Sequence, residues 1–167
     1  MRRIAVMLAA MTAIAVTARA QDNANRIGAG VTAHFRPAAE VTLFWEHETR
    51  YHDAWEVYVT GSVKLNNIED LNANYKCWGV GAAWKPCLYR AKNRYGSARI
   101  GVSLGAAPTD FLAGIHAGWQ HSYALKRGWQ FYWQAGVDVM LPRRDDLFRA
   151  GAGLGVKLPV RDRMRRR

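Results

Sequence analysis

The residues with the greatest capacity for chemistry are charged side chains that alternate with apolar ones along several segments. They are Glu46, Glu48, Arg50, Glu56, Lys64, Arg99, Asp138, Arg149 and Lys157. Glu46 and Glu48 would share one face of a strand, because successive strand side chains point to opposite faces. Two carboxylates on one face can act in acid–base catalysis, or they can pair with cations on neighbouring strands. Because an unpaired buried charge is costly, we favour an ion-pair network and assign no catalytic residue.

The chain contains two cysteines, Cys77 and Cys87. An exported protein meets an oxidising compartment, where a disulfide between them would persist. However, an extended strand from Cys77 to Trp84 spans roughly 23 Å at about 3.3 Å per residue, and the Cα atoms of a disulfide lie within about 7 Å of each other. The disulfide therefore requires the strand to end near Gly81 or the following connection to fold back, and both alternatives stay open.

The histidines and serines form no familiar catalytic or metal-binding motif. The histidines, none of which has the spacing of a helical metal site, are His34, His47, His52, His116 and His121. His121 and Ser122 are adjacent and point to opposite faces, so the His-x-Ser pair that small lipid A deacylases carry on a strand is absent. A Gly-x-Ser-x-Gly motif is absent too. We therefore predict a protein without enzymatic activity, metal or cofactor.

In the segments that carry these side chains, apolar residues alternate with polar residues or glycine, with a period of two. Between Trp129 and Val139, for example, aromatic and aliphatic residues alternate with glutamine, tyrosine, glycine and aspartate. Runs of this kind predict strands with one apolar face and one polar or glycine-rich face. Eight strands are predicted, over residues 26–35, 41–50, 55–65, 74–84, 96–106, 111–123, 129–141 and 147–158. Most connections are short, and the longest is 85–95.

The composition of the two faces indicates which one points outward. A soluble lipocalin-like barrel and a membrane barrel share the alternation but expose opposite faces. Aromatic residues lie near strand ends on the apolar face, as in interfacial girdles: Phe35, Trp55, Trp84, Phe111, Trp129 and Phe148. The other face combines glycine with charges of both signs, which suits a narrow interior. We therefore predict an all-β, eight-stranded antiparallel up-and-down transmembrane barrel, with residues such as Val59 and Val156 facing lipid.

Residues 1–20 have the features of a cleaved secretory signal. Two arginines precede an apolar run from Ile4 to Val16, and a small-x-small cleavage site ends at Ala20. The run is too short for a spanning helix, which needs about 20 apolar residues. We therefore predict a signal peptide at 1–20, a barrel at 21–160 and a location in the bacterial outer membrane.

The net charge of +11 is concentrated at the two ends of the chain. The signal carries three arginines and no acid, and the tail at 161–167 carries five arginines and one aspartate. Basic tails can bind phosphate groups, but we interpret this one as a disordered, solvated end. No specific nucleic-acid binding is predicted.

Two resemblances narrow the interpretation further. The segment from Ala150 to Leu158 is similar to the closing strand of small outer-membrane β-barrels, although a mostly arginine segment follows Val160. Residues 74–158 also resemble conjugative-transposon transfer proteins of the TraO type, through Phe111 with Gly114, the long hairpin from Phe111 to Leu141 and the Gly-x-Gly-x-Lys closure at 153–157. The second resemblance implies an exported protein of a mating apparatus, and it transfers no functional residue.

Two functional hypotheses follow. The first is a small, non-enzymatic outer-membrane barrel with a structural or interaction role, within a conjugative DNA-transfer apparatus if the TraO resemblance holds. Its partners would be outer-membrane lipid and other proteins of the envelope or the transfer apparatus. The alternative is a secreted, soluble, lipocalin-like barrel that binds a small apolar ligand. A barrel of this size has an interior filled by side chains, so a porin is not expected.

Overall fold

The computed structural model describes most of the predicted barrel domain. The described residues are 24–35, 38–64, 75–108, 111–141 and 148–160. The predicted signal peptide at 1–20 and the arginine-rich tail at 161–167 lie outside them, and so does the side chain of Lys64. None of the described residues belongs to a helix long and apolar enough to cross a membrane.

The alternating runs fold into β-strands. Their bounds are β1 (Ala24–His34), β2 (Ala38–Glu48), β3 (Ala54–Lys64), β4 (Tyr75–Lys85), β5 (Cys87–Ala91), β6 (Arg94–Ala106), β7 (Phe111–Ala124), β8 (Gln130–Leu141) and β9 (Phe148–Pro159). A short 3₁₀ turn, Lys126–Gly128, joins β7 to β8. At the main strands, the observed ends lie within about three residues of the predicted ones, because the alternation itself stops where the pairing stops.

The strands close into a ring. Apart from β4 and β5, consecutive strands pair antiparallel, and β9 pairs with β1. β6 pairs with β4, β5 and β7. β4 and β5 pair with successive parts of the same neighbouring strand, β6. The two therefore occupy one position in the barrel, and the barrel has eight strand positions. The predicted eight-stranded antiparallel up-and-down barrel is confirmed.

The predicted connection at 85–95 is wrong, because most of it is strand. Pro86 has no N–H and interrupts the ladder, yet its carbonyl accepts a 3.1 Å hydrogen bond from the amide of Ala98. The chain then continues as β5, with a register shift between Cys87 and Tyr89. A proline at such an irregularity is compatible with a strand, and the sequence pattern alone did not reveal it.

The apolar face of the barrel points outward. Val59, Ile100, Val137 and Val156 lie on the outer surface with exposed fractions of 42–52%, whereas inward-facing Lys157 is 2% exposed. The same alternation holds along β9, where exposed Leu154 and Val156 flank buried Gly155. The predicted assignment of Val59 and Val156 to the outer face therefore agrees with the structure.

Large aromatic side chains occupy the middle of the interior at places where neighbouring strands carry glycine. Phe44, Tyr58 and Tyr132 are buried there. A Cβ atom at Gly155 would come within 2.5 Å of the Tyr132 hydroxyl, and one at Gly81 would come equally close to the hydroxyl of Tyr58. Only glycine leaves room for these rings, which explains the glycine-rich inner face.

Candidate functional site

Two clusters of polar side chains lie in the interior, near opposite rims. The terminal rim is the end of the barrel where β1 begins and β9 ends, and the hairpin rim is the opposite end, where β6 leads into β7. The terminal cluster consists of Glu46, Glu56, Lys85, Arg99 and Lys157. The hairpin cluster consists of His34, Glu40, Ser103, His116 and Asp138. The rings of Phe44, Tyr58 and Tyr132 lie between the two clusters.

Glu46 is the centre of the terminal cluster and is 1% exposed. Its carboxylate accepts a 2.6 Å hydrogen bond from Lys85 Nζ and bonds of 2.7 and 2.8 Å from Lys157 Nζ. Lys85 also pairs with Glu56, whose carboxylate accepts a 2.9 Å bond from Arg99. Ion pairs therefore connect five strands of the barrel across its interior: β2, β3, β4, β6 and β9.

Strand register explains why this cluster needs its cations. Glu46 lies directly opposite Glu56 in the β2–β3 ladder, and like charges directly opposite each other are destabilising. Lys85 ends β4, and its long side chain reaches both carboxylates. The cluster therefore converts a repulsive cross-strand pair into a set of satisfied ion pairs, which buried charges require.

A second layer of polar contacts lies closer to the terminal rim. Glu48 accepts a 2.6 Å hydrogen bond from Arg26 Nε and a 3.2 Å bond from Gln130, and it also pairs with His52. Arg26 additionally donates to the carbonyl of Gly128 in the 3₁₀ turn at 2.7 Å. These contacts connect β1, β2 and β8 with the two turns at this rim.

The aromatic rings separate the two clusters and contact both. The ammonium groups of Lys85 and Lys157 lie 5.2 Å and 5.6 Å from the ring centroids of Phe44 and Tyr132. The Arg99 guanidinium lies 4.8 Å from the centroid of Tyr58. Such cation–π contacts add to the stability of desolvated cations. The middle of the interior is thus filled with side chains.

The hairpin cluster is built on hydrogen bonds that involve His116. Its Nδ1 lies 2.6 Å from an Asp138 carboxylate oxygen, and its Nε2 lies 2.7 Å from the Ser103 hydroxyl. The buried ring of His34 lies beside two carboxylates, 3.8 Å from Glu40 and 4.0 Å from Asp138. Neither nitrogen of His34 has a hydrogen-bond partner within the described segments.

Two small cavities adjoin this cluster. One of about 50 Å³ is lined by Thr32, His34, Glu40, Thr42, His116 and Asp138, among others. A second cavity of about 20 Å³ shares Glu40, His116 and Asp138 with the first and is also lined by Ser103 and Arg149. These volumes accommodate about one or two water molecules. Among the described residues, no three histidine, cysteine or acidic side chains are grouped as a metal site.

The charged residues singled out in the sequence fall into distinct places. Glu46, Glu56, Arg99 and Lys157 meet in the terminal cluster, and Glu48 lies in the layer beside it. Asp138 belongs to the hairpin cluster, and Arg149 lies opposite it in the β8–β9 ladder with 7% exposure.

Arg50 corrects one sequence expectation. It was expected on the inner face of the second strand, but β2 ends at Glu48 and Arg50 lies in an exposed turn. Its guanidinium donates to the hydroxyl of Tyr51 and does not enter the interior. The strand ends early because a tight turn follows, in which the amide of Thr49 bonds to the carbonyl of Asp53.

The sequence left open whether Cys77 and Cys87 form a disulfide, and the structure answers this question. Cys77 and Cys87 are both free thiols, so the considered disulfide is not formed. Cys77 Sγ is hydrogen-bonded to the Ser62 hydroxyl at 2.7 Å, and the Cys87 amide bonds to Asp53. The physical reason is that β4 continues unbroken from Cys77 past Gly81 to Lys85, which holds the two thiols apart.

Sequence reasoning missed Lys85, Ser103 and the role of His116. Lys85 was placed in a connection, although it lies on the inner face one residue beyond the predicted end of the fourth strand. Ser103, His116 and Asp138 each stand between two apolar residues in the sequence, but nothing in the alternation brought them together. The signal that would have found them is the hairpin register, which pairs His116 with Gly101 and with Asp138.

Two solved structures have folds similar to the observed architecture. The fold is similar to that of the Yersinia pestis outer membrane protein Ail in a phospholipid bilayer nanodisc, with a TM-score of 0.55, 10% identity, and coverage of 83% of this chain and 100% of that one. It is also similar to a de novo designed transmembrane β-barrel, with a TM-score of 0.53, 9% identity, and coverage of 84% and 98%. The N-terminal β-barrel domain of Pseudomonas aeruginosa OprF matches with a TM-score of 0.45 and 15% identity, over 85% of this chain and 100% of that domain.

Sequence comparisons do not assign the chain to a family. No family profile matches the chain, and no curated protein matches it either. The resemblance to TraO-type transfer proteins therefore receives no support from these searches. At the identities observed, similarity to solved structures establishes the fold alone. The chain has the fold of the small eight-stranded transmembrane β-barrels.

Proposed function

We propose that this chain is a small barrel of the bacterial outer membrane, without an open pore, with a structural or interaction role. The observation that carries this proposal is the apolar outer surface, which exposes side chains such as Leu43 (60%), Val102 (60%) and Leu154 (57%). A soluble barrel that exposed so many aliphatic side chains would present a large apolar patch to water. In lipid, the same surface is the favourable one.

Aromatic side chains at both ends of this surface support a membrane location. Trp55, Trp84 and Trp129 lie on the outer surface near the terminal rim, and their exposed fractions are 58, 42 and 49%. Phe111 and Phe148 lie at the opposite end and are 64 and 66% exposed. Aromatic residues of transmembrane barrels form girdles at the two water–lipid interfaces. The partner that these residues fit is outer-membrane lipid.

The interior argues against the lipocalin-like alternative. A lipocalin needs an apolar cavity inside the barrel, but the interior of the described segments contains ion pairs, three aromatic rings and two polar cavities no larger than about 50 Å³. An apolar ligand would have to displace buried charges, which is costly. The structural or interaction role therefore remains the better proposal.

Fractionation of cells that express the full chain tests the membrane proposal. We expect the mature protein, cleaved after Ala20, in the detergent-extracted outer-membrane fraction. It should also migrate faster on gels before boiling than after, as compact closed barrels do. A periplasmic binding protein and a known outer-membrane barrel serve as controls. Recovery in the soluble periplasmic fraction without detergent would refute the membrane location.

A role in conjugation is a further proposal that rests only on the TraO-type resemblance. A donor strain without the gene should transfer its mobile element less often, and the full-length gene supplied in trans should restore transfer. Unchanged mating frequency would remove conjugation from the proposed function and leave the membrane location untouched. No specific binding to nucleic acid is expected in either case.

A further inference from the structure

Three polar side chains of the hairpin cluster stand in the order of a nucleophile, a base and a carboxylate. Ser103 in β6, His116 in β7 and Asp138 in β8 lie on the inner faces of three consecutive strands. The Ser103 hydroxyl is 2.7 Å from His116 Nε2, and His116 Nδ1 is 2.6 Å from Asp138 Oδ1. Both distances are those of good hydrogen bonds.

The partners determine how protons are distributed in this group. A carboxylate only accepts hydrogen bonds, so His116 Nδ1 carries the proton that Asp138 receives. In the neutral imidazole, Nε2 is then an acceptor, and the Ser103 hydroxyl donates to it. A serine whose hydroxyl donates to a histidine that a carboxylate orients is the arrangement used for nucleophilic attack on acyl groups.

The group also has space beside it and a route to the outside. Ser103 and Asp138 each lie three residues from the strand end at the hairpin rim, and the side chains of His116 and Asp138 are 13 and 21% exposed. Ser103 is 8% exposed and borders the smaller cavity. Gly114 lies opposite it in the ladder, where a Cβ would come within 2.7 Å of both Ser103 Oγ and Met140 Sδ. The adjoining cavities admit only a short acyl group, since together they hold the volume of about two or three water molecules.

We propose that Ser103, His116 and Asp138 form a hydrolytic site that takes short-chain carboxylic esters, such as acetyl esters, from the hairpin rim. Ser103 and His116 are its catalytic residues, and Asp138 positions His116. This activity goes beyond the structural or interaction role proposed above. It does not depend on the membrane location.

The reaction balances with water as the only co-reactant. Ser103 Oγ bonds to the ester carbonyl carbon while its proton passes to His116 Nε2. The bond from that carbon to the alcohol oxygen then breaks, and the alcohol leaves with the proton held by His116. Water next attacks the acyl-serine and gives a proton to His116. The acid leaves, and Ser103 recovers its proton.

Donors for the charge that develops on the carbonyl oxygen line the same cavity. Thr60 carries a hydroxyl and Arg149 a guanidinium, and both border the cavity that contains Ser103 and His116. Donors aimed at the developing oxyanion supply a large part of the rate enhancement in acyl transfer.

The test uses the purified mature protein in detergent micelles and two small probes. Methanesulfonyl fluoride reacts with activated serines, forming an Oγ–S bond as fluoride leaves, and p-nitrophenyl acetate reports ester hydrolysis. We expect one sulfonyl group, mapped to Ser103 by mass spectrometry, and ester turnover that stops when this adduct forms. Ser103→Ala should lose both signals, whereas Ser97→Ala, which removes another buried serine hydroxyl from β6, should keep both.

The role of Asp138 needs a separate readout. Asp138→Asn should lower kcat for p-nitrophenyl acetate by roughly 10²-fold or more while KM changes little, and Asp138→Glu should recover part of the loss. Heat-modifiable gel migration checks that each variant is folded. No sulfonyl adduct on Ser103 of the folded native protein would overturn the proposal. Turnover in folded Ser103→Ala equal to that of the native protein would do so as well. If Ser103→Ala does not fold, the adduct on the native protein decides alone.

Discussion

At the scale of single residues, Glu46 determines how the terminal cluster is balanced. It accepts hydrogen bonds from two lysines, and Lys157 has both of its short contacts to this one carboxylate. If Glu46 is lost, Lys85 keeps its ion pair with Glu56. Among the described residues, Lys157 has no second carboxylate within ion-pair distance. Loss of Glu46 therefore leaves one buried ammonium group uncompensated.

The first prediction concerns this dependence. Glu46→Gln keeps the shape of the side chain and removes its charge, and we expect the free energy of unfolding in detergent to fall by about 3–5 kcal/mol. Adding Lys157→Met should restore part of that loss, because the unpaired cation disappears with it. Urea titrations of the two single variants and the double variant give the coupling energy.

Glu40→Gln is the matched control for this cycle. Glu40 lies on the same strand, but its side chain is 21% exposed, against 1% for Glu46, and the imidazole of His34 lies 3.8 Å from its carboxylate. We expect it to cost less than about 1 kcal/mol. Equal losses at Glu46 and Glu40, or no coupling between Glu46 and Lys157, would show that the terminal cluster does not stabilise the barrel through ion pairs.

The second prediction concerns the two thiols. The mature protein, unfolded in urea without any reductant, should take up two iodoacetamide groups, because Cys77 and Cys87 are free. In the folded protein Cys87 should react slowly at neutral pH, since partial burial raises the pKa of its thiol and the thiolate is the nucleophile. Its rate should therefore rise with pH above neutrality. Alkylation that requires prior reduction would contradict the structure.

Single residues also show where sequence reasoning reaches its limit. Alternation was enough to place Glu46, Glu56 and Lys157 on the inner face, because the two-residue period decides the face directly. It did not place Lys85, which lies next to a proline where the pattern ends. Nor did it bring Ser103 to His116, because that distance depends on the register of the β6–β7 hairpin, and the turn sets the register.

At the scale of the strands, the alternation determines which face meets lipid. Val59 is the central residue of β3, lies between Leu43 and Val80 in the ladder and is 51% exposed. Val59→Arg should therefore lower stability in phospholipid vesicles by about 2–4 kcal/mol, because an arginine near the bilayer centre is costly. Reversible urea unfolding in vesicles measures the change.

Val160→Arg provides the comparison for that variant. Val160 is similarly exposed, at 46%, but it lies just beyond the end of β9. The same substitution there should change stability by about 0–1 kcal/mol. A large loss at Val160 together with no loss at Val59 would mean that the outer surface of β3 does not face lipid.

The strands as elements were more predictable than their connections. The main strands were anticipated because six or more alternating residues outweigh any single exception. The segment after Lys85 was not, since Pro86 normally ends a strand and only the backbone shows β5 continuing beside β6.

At the scale of the whole molecule, the filled interior implies that the barrel does not conduct. The terminal cluster and the three aromatic rings occupy successive layers between the two rims. In planar bilayers we expect no stable single-channel currents at protein concentrations where a porin control shows them. Steady, reproducible conductance steps from the purified protein would contradict a closed interior.

The interruption at Pro86 also sets where the ring opens first. Within the described segments, Pro86 divides the ladder along β6 into a part with β4, from Trp78 opposite Ala106 to Trp84 opposite Ile100, and a shorter part with β5. Each part is shorter than any other ladder of the ring. The ladder between β6 and β7, in contrast, runs along the whole of β6. Local opening begins where the fewest ladder bonds must break together. Amide protons along β4 should therefore exchange with deuterium before those of β7, and each brief opening there gives the closed ring a transient free edge.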